Sequence, residues 1–457
     1  MTAAPSQITM DPQAGLAWES PWFSEPTPVW TKEPESIAIT QVARNALKLP
    51  CDAPCVAEYL GEGTFNKVYI IRCGDISTAD YIMRVSLPVH PRLKTMSEQA
   101  TIQYVRYYTN IPVPQVLSFD SSNSNKLGFE WMLMERVSGC PFLTQWLQVS
   151  WLKKEVLIRK IMAYLVQLFR KRFTSMGNIY ATDNLQQLPT VQIPNTTLLG
   201  PEFRCRDTGI SLSEIVSVSF FSGKHLQANI ERGPFQNSRD WLAARLHLHI
   251  YDIDNAPKSD SDDSDDEYDE YAQLTSPEAT KRRAERLLAL LPTVFPEEHE
   301  EFVLHHHDLN SSNIMVDASY NLTGIIDWEC ITTCPLWLAC QVPKFIDDVP
   351  RLNCPDPRKY SHKILPDGTE DPDCLIYEHN EQYEKTCMRE FFFRDMRRIC
   401  PEWIQVYEAS KLKRDFEDAV SFFGFSMMSK DIEEWVTAVE NGKLPKGVGE
   451  QSPIDLD

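Results

Sequence analysis

The stretch from Leu304 to Glu329 constrains this chain more than any other part of it. It reads Leu-His-His-His-Asp-Leu-Asn-Ser-Ser-Asn-Ile-Met-Val-Asp over 304–317 and Leu-Thr-Gly-Ile-Ile-Asp-Trp-Glu over 322–329. Ile314–Val316 and Leu322–Ile326 are short apolar runs separated by a turn through Ala318–Asn321, which predicts an antiparallel hairpin. Such a hairpin brings Asn313 and Asp327 to one end, with Asp308 five residues before Asn313 on the entering loop. Two oxygen-bearing side chains suit a hard divalent cation, and a separate carboxylate can orient a hydroxyl. Those are the parts of a phosphoryl-transfer site.

The rest of the chain has room for such a site. Its 457 residues, 42% of them hydrophobic, allow up to about three domains and a sizeable core. Val68–Ile71, Tyr81–Met83 and Trp131–Met134 have the composition of strands. Between Pro91 and Thr109, the residues Leu93, Met96, Ala100, Tyr104 and Tyr107 recur at helical spacing, and Pro112 and Pro114 end that helix. Beyond Gly139 the pattern turns helical, at Trp151–Phe173, Ser238–Leu248, Pro277–Leu291 and Lys411–Phe423. These runs predict an α+β protein with an irregular N-terminal arm over 1–50, a small β-rich lobe with one helix over 51–137, and a larger, mainly helical lobe over 138–457. Trp18, Trp22 and Trp30 would dock the arm on a core.

Charge and composition exclude several functions. With 45 Lys+Arg against 65 Asp+Glu, the formal charge of -20 argues against a nucleic-acid binder with a broad basic face. No apolar run is long enough to span a bilayer, and Pro5, Asp11 and Pro12 stand where a signal peptide needs a basic start and an apolar centre, so a cytoplasmic protein is expected. Eight acids and no base between Ser259 and Tyr271 predict a solvated, disordered insertion at about 255–273. Ser259 and Ser264 each have an acid three residues on, which would suit an acidophilic kinase. The 12 Cys are scattered without paired CxxC spacing and read as reduced thiols rather than a zinc site. Three adjacent His at 305–307 do not make a metal hydrolase either, because consecutive side chains on an extended segment alternate faces and HExxH spacing is absent.

The pattern His306-x-Asp308, Asn313, then Ile326-Asp327-Trp328-Glu329 resembles the aminoglycoside-phosphotransferase family, relatives of the protein kinases that phosphorylate small-molecule hydroxyls. Arg232-Gly233-Pro234-Phe235 and Asp240-Trp241-Leu242 look like fungal members, and the resemblance runs from about 55 to 425. It implies a bilobal, protein-kinase-like fold with ATP in the cleft between the lobes and Mg²⁺ on Asn313 and Asp327. Asp308 would orient the acceptor hydroxyl, and one His would orient the catalytic loop. Glu329 would reach the cation through water or brace the loop.

In the small lobe, Leu60–Val68 follows GxGxxGxV with Gly61 and Gly63 in place and Asn66 at the third Gly position. Arg84 stands where the family usually places the phosphate-contacting Lys, with Glu98 as its natural partner. Met132–Gly139 resembles the hinge strand, where adenine would meet main-chain atoms near Glu135 and Val137. The implied function is an ATP-dependent phosphotransferase acting on a small-molecule hydroxyl. The rival is a kinase-like nucleotide-binding or regulatory protein whose turnover was lost with the changes at Asn66 and Arg84. A protein kinase fits less well, because Gly is absent two residues after Asp327 and no Ala-Pro-Glu follows.

Overall fold

A two-residue burial repeat organises the first part of the chain. The computed structural model describes residues 12–19, 26–74, 80–184, 191–192, 209–256, 270–360, 364–365, 368–369 and 375–450. Trp22, Ser259 and Ser264, and with them most of the acidic stretch, lie outside the described residues. The chain divides into two compact units: Met1–Val137 with Thr174–Asp260 and Asp327–Thr333, and Ser138–Phe173 with Ser261–Ile326 and Cys334–Asp457. Part of the region assigned to a 138–457 lobe thus groups with the N-terminal strands.

In the first unit, β1 (Leu16–Glu19) and β2 (Thr27–Trp30) form an antiparallel hairpin, followed by α1 (Ser36–Ala46). Next come β3 (Cys55–Glu62), β4 (Asn66–Cys73), β5 (Tyr81–Ser86), α2 (Leu93–Tyr108), β6 (Val116–Asp120) and β7 (Glu130–Glu135). The five strands from β3 to β7 make one antiparallel sheet in the order β3-β4-β5-β7-β6. Tyr69, Ile71, Met83, Val85, Trp131 and Leu133 alternate onto one face and pack with Ile39, Val42 and Ala43 of α1. Each fully buried aliphatic side chain there contributes about 1.5–3 kcal/mol. Period-two alternation then puts Ile82, Arg84 and Ser86 on the opposite face.

The N-terminal arm is therefore not irregular: its described residues form a hairpin and a helix, because α1 closes an apolar sheet face that would otherwise meet water. Trp30 packs against that core, and Trp18 against a second cluster of Leu87, Val89, Met96, Tyr180, Val216, Phe221 and Cys330.

The second unit contains α3 (Trp151–Phe169) and helices Pro277–Val294, Leu375–Ile399, Pro401–Ala409, Lys411–Ser421 and Ser429–Glu440. Ser276 caps the helix at Pro277 by accepting from Ala279 N at 3.2 Å. Ile314–Val316 and Leu322–Ile325 form the expected hairpin, with Ile314 opposite Ile325. Two expectations fail here. α3 stops at Phe169 rather than Phe173, because Arg172–Phe173 pairs as a strand with Phe302–Val303. The 25-residue helix Leu375–Ile399 was not anticipated: its buried positions, Ile376, Gln382, Met388, Phe391, Phe392 and Met396, are sparse and include a polar residue. Among the described residues no helix is long and apolar enough to cross a membrane.

Candidate active site

In the first unit, β5 and α2 bring charge together away from water. Lys94 and Glu98, four residues apart, share one face of α2. Arg84 Nη1 forms an ion pair with Glu98 Oε1 and lies 3.5 Å from Asp327 Oδ1. Its Nη2 donates to Glu329 Oε2 at 2.9 Å. Lys94, 1% exposed, reaches the same Glu329 oxygen at 2.6 Å and donates to Asn66 Oδ1 at 3.1 Å. Asn66 Nδ2 donates to Glu329 Oε2 at 2.7 Å, and Ser86 Oγ donates to Asn66 Oδ1 at 2.6 Å.

One carboxylate oxygen thus accepts from two cations and an amide. Burial works against the Glu329 charge, but Lys94 and Arg84, with hydrogen bonds from Lys94 and Asn66, outweigh it and hold the carboxyl at about 2. For Glu98 burial wins over Arg84 and pushes the carboxyl up to about 7. Burial also opposes the charges of Arg84 and Lys94, yet the surrounding carboxylates raise both pKa values.

The Gly-containing turn sits at the end of the β3–β4 hairpin. Gly63 N donates to Asn66 O at 2.9 Å, and Leu87 N to Phe65 O at 2.9 Å. A Cβ added at Gly61 or Gly63 would meet nothing within 4 Å, so the backbone there borders open space into which a phosphate could come close. Asn66, far from leaving the turn loose, ties it to β5, α2 and Glu329. At the expected hinge, Glu135 is exposed and its N–H already donates to Gln115 O at 2.9 Å, so that donor is not open to a base; Val137 is half-buried and ends this stretch of the unit.

Asp327 adopts φ +65°, a left-handed conformation that costs most residues energy and that Asp tolerates better than most. Downstream, Asn178 Nδ2 donates to Ile331 O at 3.2 Å, and Gly177 N to Thr333 Oγ1 at 2.9 Å. Those bonds fix the segment that carries Asp327 and Glu329. Glu329 holds Asn66, Arg84 and Lys94 together through one carboxylate oxygen.

The second unit holds Asp308 and Asn313. Asp308 Oδ2 accepts from Asn313 Nδ2 at 3.0 Å and Asn310 Nδ2 at 3.2 Å, while Oδ1 pairs with Lys344 Nζ at 3.1 Å. Asn313 Nδ2 also donates to Asp308 O at 2.9 Å, and this leaves the Asn313 carbonyl oxygen as the acceptor end of that side chain. His306 Nε2 lies 3.2 Å from Ile326 O and so donates to it, fixing the loop against the end of the hairpin. Burial, then the neighbouring His307, lowers His306 to about 4, and burial with His307, His306 and Lys344 lowers His305 to about 3. Both imidazoles are neutral at physiological pH. No group of three or more His, Cys, Asp or Glu is arranged to hold a metal ion among the described residues.

Sequence reasoning missed Lys94 and Lys344. Lys94 lies at the start of a helix, where a Lys ordinarily points to water, and Lys344 lies 36 residues beyond Asp308. No local signal marks either one.

A strand-borne Arg paired with a helix Glu, a Gly-containing hairpin beside it, and a separate Asp–Asn loop define an α+β protein of the protein-kinase-like class. The chain belongs to the phosphotransferase enzyme family (APH), whose family model matches residues 56–337. Two subtelomeric hrmA-associated cluster proteins from two strains of Aspergillus fumigatus are each 25% identical to it over 323 residues, 63% of this chain. The match spans 59% of the length of each of those relatives.

Among solved structures, the apo form of a thermostable mutant of aminoglycoside phosphotransferase APH(4)-Ia is 12% identical, covering 88% of this chain and 100% of that one with a TM-score of 0.41. The streptomycin–ATP ternary complex of APH(2")-IIa is 11% identical, covering 89% and 97% with a TM-score of 0.42. Macrolide 2'-phosphotransferase type I is 10% identical, covering 91% and 100% with a TM-score of 0.38.

Proposed function

We propose that this protein is an ATP-dependent phosphotransferase that moves the γ-phosphate of ATP to a hydroxyl of a small molecule. The observation that carries the reading is the buried Arg84 guanidinium, held by Glu98 with Asp327 at 3.5 Å, beside a glycine turn with open space over its backbone. Two buried cations, Arg84 and Lys94, converge on Glu329 Oε2 next to that turn, although burying charge is costly. The carboxylates around them fix the Arg84 guanidinium beside the turn, where phosphates would be received.

In this reading Gly61, Gly63 and Asn66 cover the phosphates, and Arg84 grips them with its planar fork. Main-chain atoms near Glu135 and Val137 receive the base. The donor set fits Mg²⁺: Asn313 keeps a carbonyl oxygen and Asp327 a carboxylate, both hard ligands, and Mg²⁺ usually takes only one or two protein oxygens with phosphates and water as the rest. When bound there, the ion would neutralise charge on the phosphates. Asp308, its Oδ2 fixed by Asn310 and Asn313, orients the acceptor hydroxyl and takes its proton late in the transfer. The proposed setting is the cytoplasm, with no nucleic-acid or membrane partner.

The test is a thermal-shift titration with ATP, with and without Mg²⁺, on the wild type, Asp327→Ala and Asp308→Asn. A Mg²⁺-dependent stabilisation lost in Asp327→Ala and kept in Asp308→Asn is expected, with phosphate transfer in Asp308→Asn reduced by orders of magnitude. Absence of any shift in the wild type at millimolar nucleotide would overturn this reading, and a shift without phosphate transfer would replace it with the nucleotide-binding or regulatory one.

A further inference from the structure

Asp308 has a partner that the phosphotransfer reading does not use. Lys344 Nζ lies 3.1 Å from Asp308 Oδ1, the oxygen that Asn310 and Asn313 leave open. An isolated surface ion pair would mean little. The placement of the Lys344 backbone is what sets this pair apart. Phe345 N donates to Leu309 O at 3.1 Å, one residue after Asp308, and Phe345 and Ile346 are 2% and 0% exposed. From the other side, Arg389 donates to Asp348 O, and Lys385 Nζ donates to Asp348 Oδ2 at 2.8 Å. The segment is thus clamped between the Asp308 loop and helix Leu375–Ile399, while the Lys344 side chain itself stays 57% exposed. An ammonium has three donors, and one is engaged with a side chain here.

We propose that Lys344 is a further catalytic residue of this site, donating from beside Asp308 to the phosphoryl group in flight; this rests on the phosphotransferase reading above. In the step, a bond forms between the acceptor oxygen and the γ-phosphorus, and the bond from that phosphorus to the β–γ bridging oxygen breaks. The acceptor proton passes to Asp308, and ADP leaves with the bridging oxygen. Lys344 keeps its proton throughout. Because Asp308 takes its proton late, Lys344 stays paired with it while the remaining donors of the ammonium meet the equatorial phosphoryl oxygens as the group moves towards the acceptor, an interaction made in the transition state rather than in the ground state.

The test needs no known acceptor, because water can serve. Slow MgATP hydrolysis and the affinity for MgADP with and without aluminium fluoride are measured for the wild type, Lys344→Met, Lys344→Arg and Asp308→Ala. Lys344→Met is expected to keep its MgADP affinity and its melting temperature. Both its hydrolysis rate and its fluoroaluminate-dependent tightening should fall by about tenfold or more, as for loss of one transition-state donor. Lys344→Arg should recover part of both, which a merely structural role would not produce. Lys344→Met behaving as wild type, while Asp308→Ala loses hydrolysis, would remove Lys344 from the mechanism and leave the phosphotransferase reading standing. Full hydrolysis in Asp308→Ala, or a wild type showing neither hydrolysis nor tightening, would overturn both.

Discussion

Arg84 is compensated three times over, by Glu98, Glu329 and Asp327. Removing the partner with the shortest contact leaves a buried guanidinium only partly matched, so Glu98→Ala should lower stability by about 3 kcal/mol, read from the urea midpoint. Glu130 offers a second test at this scale. It is 2% exposed, and its Oε1 accepts from Arg92 N at 2.7 Å, at the start of α2. Burial pushes its carboxyl from 4.5 up to about 7 against the hydrogen bond from Arg92 N. The folded chain therefore keeps this proton over a range in which the unfolded chain has released it. Stability from the group is present below about pH 4.5 and declines as pH rises towards 7, by roughly 3 kcal/mol in total. Glu130→Gln should flatten that decline, so the melting-temperature difference between variant and wild type should move in favour of the variant from pH 5 to pH 8; a constant difference would refute the assignment. Arg84 and Glu98 could be picked out in the sequence because the family resemblance places a cation on that strand and an acid on the helix after it. Lys94 could not, since only packing takes a helix-start Lys out of water.

The Asp308 to Asp327 block is legible because its geometry is local: a five-residue loop and a short hairpin fix where its side chains leave the backbone. Its neighbour Gly139 shows how narrow the tolerance is. That residue has φ +99°, and a Cβ there would lie 2.1 Å from Val316 O in the hairpin. Gly139→Ala should cost about 2 kcal/mol or more, because both the conformation and the approach are lost; a thermal melt unchanged from wild type would contradict this. Other elements left weaker traces. The arm over 1–50 reads as irregular until the apolar sheet face under α1 is seen, and Leu375–Ile399 hides its helix behind charged residues. The end of α3 yields to pairing between Phe173 and Phe302, a long-range contact that helical spacing cannot report.

For the whole molecule, ligand linkage gives the measurable quantity. If ATP and Mg²⁺ bind the folded chain alone, nucleotide at about one hundred times its Kd should add roughly 2.7 kcal/mol, a rise of several degrees in melting temperature. The charge of -20, to which the stretch Ser259–Tyr271 contributes eight acids and no base, bears on partners and leaves the active-site chemistry to particular residues. Taken alone, the sequence determined the α+β class and the hairpin that carries Asn313 and leads to Asp327, because hydrophobic period and short loops act over a few residues, while Arg84 and Glu98 were legible through the family resemblance. Only the tertiary structure decided that Asn66 is a tie rather than a lost glycine, that Glu329 braces two cations, and that Lys344 stands against Asp308. Those facts depend on which distant side chains share a low-dielectric space, and that is settled by how the elements pack.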